Sequence, residues 1–150
     1  FGHDINKEIV DTGCNAKMTE VHAALGLVNL PLIPEVLEKR KEIYFCYQKH
    51  LGTSVGYQDF PEDSYNYSYM PVVFNSEEEV LKVMKHLNEN NVFPRRYFHP
   101  SLNELKAVGQ YTPCPISEDI SRRILALPSY HAICFEEIEG ICELINSVLD

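Results

Sequence analysis

Thr12-Gly13-Cys14-Asn15-Ala16-Lys17-Met18-Thr19-Glu20 runs straight into Val21-His22-Ala23-Ala24-Leu25-Gly26-Leu27. The first half reads as a turn and the second as a helix, from about Thr19 to Leu30, ended by Pro31. Glu20 falls in the first turn, where the positive end of the helix dipole favours an acid. Ala23, Ala24 and Gly26 are small, and a glycine inside a helix costs about 1 kcal/mol relative to alanine. Tight helix packing and a ligand contact both account for that cost. The Gly-Cys-Asn turn also has two readings. It can present free N–H groups and an amide to an anion ahead of a helix start. Alternatively, Asn15 occupies a turn and bonds its own backbone.

Downstream, Pro34 suits a first helical turn, and the segment to about Leu51 reads as a long helix. Leu37, Tyr44 and Leu51 form one apolar stripe, and Val36, Ile43 and Tyr47 a neighbouring one, while Lys39, Arg40 and Lys41 read as solvated. So broad an apolar surface suggests a helix pressed on two sides, as between two domains. Gly52 supplies a stop. Residues 56–64 read as loop. Tyr65, Tyr67 and Tyr69 alternate with polar residues and lead into Met70-Pro71-Val72-Val73-Phe74, a strand that Pro71 assigns to an edge or a start. Ser76 and Glu79 have capping-box spacing ahead of a helix carrying Val80, Val83, Met84 and Leu87, closed by Asn90-Asn91. Val92 to Phe98 reads as a second strand and Leu125-Ala126-Leu127-Pro128 as a third, with a short helix within Ile116 to Arg123 between them. Ser101 to Pro115 is irregular. Phe135 to Leu149 is the clearest helix, with Ile138, Ile141, Cys142, Ile145, Val148 and Leu149 on one face.

Strands and helices therefore segregate rather than alternate. The predicted class is α+β: a short, mainly antiparallel sheet covered by helices and preceded by a long interdomain helix.

Composition narrows the function. The 150 residues suffice for one ordinary domain with a real core. A net charge of -9 argues against a nucleic-acid partner, because such a surface repels phosphate backbones. The dense basic pairs Arg95-Arg96 and Arg122-Arg123 are too few for a nucleic-acid track, though either can hold one phosphate. No run of eighteen apolar residues occurs, so no membrane span is predicted. Phe1-Gly2-His3-Asp4 has no initiating Met and no signal-peptide pattern, so the chain reads as cut from something longer. The five cysteines (Cys14, Cys46, Cys114, Cys134 and Cys142) are odd in number and form no Cys-x-x-Cys pair. They read as reduced thiols of a cytoplasmic protein, with Cys134 and Cys142 behaving as small hydrophobes. The histidines His3, His22, His50, His86 and His131 show no metal-ligand spacing.

Phe93-Pro94-Arg95-Arg96-Tyr97-Phe98-His99-Pro100-Ser101-Leu102 is the second stretch with chemistry in it. Arginine offers forked donors to phosphate, and an aromatic ring stacks on a base or sugar. Adjacent residues of an extended segment point to opposite faces, so only one arginine easily faces a given pocket. The alternative is a strand whose aromatics fill the core while its arginines are solvated or paired with acids. His99 is a proton carrier by type but has no acidic partner nearby in sequence.

Both stretches resemble the DegT/DnrJ/EryC1/StrS family of sugar-nucleotide aminotransferases. Gly13, Asn15, Lys17, Met18, Thr19 and Glu20 match that family's Gly-x-Asn-x-(Arg/Lys)-Met-(Ser/Thr)-Glu motif, in which many members carry arginine where Lys17 stands. The arginine run is similar to a Pro-Arg-Arg-Tyr-Phe-x-Pro-Ser-Leu run near the family's active-site mouth. Asn66-Tyr67-Ser68-Tyr69-Met70-Pro71-Val72 and Ile124-Leu125-Ala126-Leu127-Pro128 look like scaffold of its small C-terminal domain.

The resemblance implies the C-terminal part of a fold-type I enzyme that binds pyridoxal phosphate (PLP). Residues 1–31 would be the tail of a missing large PLP-binding domain, and residues 32–150 the small domain. Asn15, with Lys17, would contact the PLP phosphate held by the other subunit of a homodimer. Arg95, Arg96, Tyr97 and His99 would help bind a nucleotide-linked keto sugar. The cofactor-bearing lysine would lie upstream, so the chain alone would hold no catalytic residue and would not transaminate. The intact enzyme would take an amino group, from glutamate, for polysaccharide or antigen biosynthesis. The rival expectation, from another class, is a non-catalytic α+β ligand-binding or protein-interaction module.

Overall fold

A computed structural model describes residues 5–6, 16–61, 64–97, 99–105 and 110–149. The chain divides into two compact units, Phe1–Pro34 and Glu35–Asp150.

The first unit carries α1 (Glu20–Asn29), followed by a 3₁₀ turn at Leu30–Leu32. Thr19 caps α1: its Oγ1 accepts the His22 N–H, and its carbonyl accepts that of Ala23. No residue of α1 is buried, and Val21, Leu25, Leu27 and Val28 present bare apolar surface. Pro31 does not terminate the helical path. It sits in the 3₁₀ turn, where the geometry tolerates it, and α2 (Ile33–Leu51) begins directly after. Glu20–Leu51 is long and apolar enough to cross a membrane by length and composition alone, although it holds no uninterrupted run of eighteen apolar residues.

The second unit begins within α2. Ile43, Tyr44, Tyr47 and Leu51 of that helix are buried, and Gly52 stops it at φ +54, a backbone conformation that glycine adopts without steric cost. Lys39 is not simply solvated: it pairs with Glu42 and lies 4.3 Å over the Phe135 ring. The sheet has two antiparallel strands, β1 (Met70–Val73) and β2 (Ile124–Leu127), with Met70 opposite Leu127 and Val73 opposite Ile124. Behind it lie α3 (Glu77–Glu89) and α5 (Phe135–Leu149), which pack on each other, and α4 (Pro115–Arg123), which packs on α3. Val72, Phe74, Val80, Val83, Leu87, Leu125, Ile138 and Ile145 close one core with the α2 residues. The class is α+β, as expected.

Two predicted strands differ. Tyr65 to Tyr69 does not extend β1, because Tyr67 sits at positive φ and turns the chain. Tyr65 stacks on Phe60, centroids 3.8 Å apart, and Tyr67 is buried in the same aromatic cluster. Val92 to Phe98 is reduced, among its described residues, to one bridge: the Arg95 N–H donates to the Ala126 carbonyl at 2.9 Å, and the Ala126 N–H returns to Arg95 at 2.8 Å. Pro94 has no donor with which to extend that ladder. Because Ala126 spends both backbone groups on Arg95, the facing Pro71 occupies a pair that needs no N–H from it.

The Ser76–Glu79 cap is half a box. Ser76 Oγ accepts the Glu79 N–H, but the Glu79 carboxylate takes the N–H of Asn75 rather than that of Ser76. Cys142 is buried, and burial pushes its thiol up to about 12. Cys134 is exposed just ahead of α5, contrary to expectation, and its N–H donates to the Glu137 carboxylate at 2.9 Å.

Candidate functional site

Arg95 bridges to the sheet at Ala126 while Arg96 and His99 reach α3 and α4, so the side chains of the described residues divide between two sides. Arg95 and Tyr97 face outward. The Arg95 guanidinium lies 5.9 Å from the Tyr97 ring centroid, and Tyr97 meets Tyr69 edge-to-face at 5.6 Å. Together with Ser68, Phe93, Pro128 and Ser129 they line a cleft of about 240 Å³. A second, more apolar hollow of about 280 Å³, reaching Tyr65, Pro71 and Ile124, shares Tyr69 and Tyr97 as its wall.

Arg96 and His99 do not line that cleft. The Arg96 Nη2 donates to Glu77 Oε1 at 2.8 Å and to the Arg122 carbonyl at 3.1 Å. His99 Nδ1 lies 3.2 Å from the Ser121 carbonyl. A carbonyl cannot donate, so Nδ1 carries the proton in that contact. Of the four candidates in the run, the structure thus unites Arg95 and Tyr97 and turns Arg96 and His99 onto the helices behind. Alternation along an extended backbone accounts for Arg95, Arg96 and Tyr97; His99 breaks the period, because the chain turns at Tyr97.

The back side is a polar network. Arg122 pairs with Glu104 at 3.0 Å, and Arg123 pairs with Asp119 while donating to the Phe74 carbonyl at 2.7 Å. Glu118 Oε1 gathers the Cys114 N–H, the Asn103 amide and the Tyr111 hydroxyl, which ties those three residues to α4. The Arg96 hydrogen bond holds the Glu77 carboxyl below its usual 4.5, the Cys114 N–H does the same for Glu118, and Arg123 lowers Asp119 below 3.8. Each of these acids is more readily ionised folded than unfolded. Their contribution is therefore complete above the unfolded values and is lost as pH falls through the lower folded ones. Thermal unfolding should show a plateau above about pH 5 and a falling midpoint below about pH 4.5. A midpoint flat down to pH 3 would contradict these contacts.

Asn15 lies outside the described residues. Lys17 is exposed, two residues ahead of the Thr19-capped start of α1. A cation beside a helix N-terminus is chemistry that fits a phosphate group.

Sequence reasoning missed two participants. Tyr69 reads as one of three scaffold tyrosines, and it takes the β1–β2 register together with the Arg95–Ala126 bridge to place it against Tyr97. Glu77 reads as an ordinary acid of a first helical turn, and nothing at a separation of 19 residues marks it as the partner of Arg96.

Comparison with known proteins gives a consistent result. The family model described as the DegT/DnrJ/EryC1/StrS aminotransferase family matches residues 1–146. The chain is 28% identical over 158 residues to dTDP-4-amino-4,6-dideoxy-D-glucose transaminase of Escherichia coli, covering 97% of this chain and 42% of that protein. It is 28% identical over 147 residues to GDP-perosamine synthase of Escherichia coli O157:H7, covering 97% and 39%. The crystal structure of DesI in the presence of its TDP-sugar product superposes with a TM-score of 0.78 at 31% identity, over 99% of this chain and 40% of that one. The chain therefore spans about two fifths of the length of these relatives.

Proposed function

The chain belongs to the DegT/DnrJ/EryC1/StrS aminotransferase family, and from that premise we propose that the whole protein is a PLP-dependent, cytoplasmic aminotransferase acting on a nucleotide-linked keto sugar, with glutamate as amino donor. The chain would supply the end of a large domain, up to about residue 31, and the small C-terminal domain after it. The cofactor-bearing lysine would belong to the part of the protein that precedes it. Two copies would complete each other's sites, so the working unit is a homodimer.

The observation that carries this reading is the cleft that Arg95, Tyr97 and Tyr69 share. A guanidinium beside two phenol rings suits a ligand with an anionic linker and a planar or sugar ring, as a nucleotide-sugar has. Arg95 would bind the diphosphate through its forked donors. Tyr97 and Tyr69 would bracket the adjoining ring and exclude water from it. Arg96 and His99, locked onto α3 and α4, would support that face rather than touch the ligand.

PLP, when bound, supplies the electron sink and the amino carrier of transamination. The residues of this chain toward it would be Asn15 and Lys17, which would hold its phosphate at the head of α1. The present chain alone would not transaminate.

The test is spectroscopic. The full-length protein should show a PLP absorbance band that shifts on adding glutamate and shifts back on adding a nucleotide-linked keto sugar. A purified full-length protein that neither retains PLP nor responds to glutamate would end the proposal.

A further inference from the structure

We propose that Glu77 is a positioning residue: it holds Arg96 on the side away from the cleft and so fixes the direction in which the neighbouring Arg95 meets its ligand. This rests on the reading above that Arg95 faces a nucleotide-sugar.

The segment has little backbone support of its own. Among the described residues, Arg95 forms one bridge to Ala126, and no ladder follows it. What replaces the ladder is side-chain anchoring on the opposite side. Arg96 reaches Glu77 at 2.8 Å and the Arg122 carbonyl at 3.1 Å through the same Nη2. Its side chain is 17% exposed, and its Nε is buried without a hydrogen-bond partner among the described residues. The guanidinium is thus held from one end, and Glu77 is its only anionic contact among the described residues.

Glu77 is well placed to act as a fixed post. It opens α3, whose entry is set by Ser76 and by the Glu79 carboxylate on the Asn75 N–H. Val80, Val83 and Leu87 of the same helix are wholly buried in the core. A rigid helix therefore fixes Glu77, Glu77 fixes Arg96, and alternation along the chain turns Arg95 to the other side. Loss of the Glu77 charge would leave Arg96 with a carbonyl alone, and the segment would gain freedom that ligand binding must then remove.

The experiment uses the full-length protein with dTDP and GDP as probes, measured by titration calorimetry. Arg95→Ala should weaken the nucleotide that binds by about tenfold, the scale of one charge-assisted contact. Glu77→Gln should weaken it by about fivefold while leaving the PLP band unchanged. In an Arg95→Ala background the Glu77→Gln effect should vanish, because Glu77 acts through Arg95. Arg96→Lys, which keeps the charge but not the planar fork, should give about a threefold loss that also disappears in that background, and it serves if Glu77→Gln does not fold. If Arg95→Ala weakens binding but Glu77→Gln does not, the positioning role is wrong and the nucleotide-sugar reading stands. An equal Glu77→Gln loss with and without Arg95 likewise overturns it. If neither nucleotide binds, or Arg95→Ala binds as the parent does, both fall together.

Discussion

Tyr47→Ala should lower the stability of the 150-residue chain by about 3–5 kcal/mol, a fall of roughly 10–20 °C in its unfolding midpoint. Tyr47 is wholly buried in α2 and is the largest such side chain in the core. Truncation removes its packing against the residues around it and leaves a cavity that a close-packed interior refills only in part. A second loss adds to the first. The Tyr47 hydroxyl donates to the Pro128 carbonyl at 2.9 Å, joining α2 to the chain just after β2. The bond is part-buried, and leaving a buried acceptor unpartnered costs about 1–3 kcal/mol, so the loss here falls toward the low end of that range. Tyr47→Phe isolates this share, with about 1 kcal/mol expected. Burial pushes the phenol far above its ordinary value, so the hydroxyl stays protonated and donating across the accessible pH range. Circular dichroism melts of the two variants measure both numbers. A Tyr47→Ala midpoint within about 3 °C of the parent would show that α2 does not complete this core. Since Pro128 also lines the Arg95 cleft, the same bond connects core stability to the site.

The parts legible in the sequence were those with a one-dimensional signature. α5 repeats its apolar residues at helical spacing, and α3 follows a cap, so both emerged with their buried faces. The α+β class followed from the order of elements. What did not emerge depends on partners distant in the chain. The Val92–Phe98 run has strand composition, yet a ladder needs a neighbour and a donor, and Pro94 offers no donor. Tyr65, Tyr67 and Tyr69 alternate as a strand would, but Tyr67 turns the backbone, so the three rings serve two different places: a buried cluster and the cleft wall.

The site divides in the same way. That only one arginine of Arg95-Arg96 faces a pocket follows from backbone geometry and was readable. Which one does so was not, because the Arg95 bridge to Ala126 and the Glu77 carboxylate decide it. The exposed Cys134 shows the limit of reading burial from neighbours: Ile133 beside it is buried, and Cys134 points away from the same core.

Asn15→Ala should weaken PLP retention by the full-length protein about tenfold to a hundredfold. This is the effect of removing one hydrogen bond to a charged group, about 1.5–3 kcal/mol. Asn15 lies outside the described residues, so its role is argued from what surrounds it. Gly13, Asn15, Lys17, Met18, Thr19 and Glu20 carry the family's motif in register, and Thr19 begins α1 with a formed cap. That cap places the motif at the positive end of a helix, where an anion is favoured. Lys17 is exposed there, and its charge acts through solvent, so Lys17→Ala should cost only about two- to fivefold. Lys17→Arg should retain PLP at least as well as the parent, since the planar fork suits phosphate. PLP absorbance after dialysis against cofactor-free buffer measures all three variants. The order of losses carries the weight: Asn15 above Lys17 means a directed hydrogen bond holds the phosphate. The reverse order would mean that general positive charge holds it. Asn15 would then be a turn residue bonding its own backbone, the other reading its sequence allows.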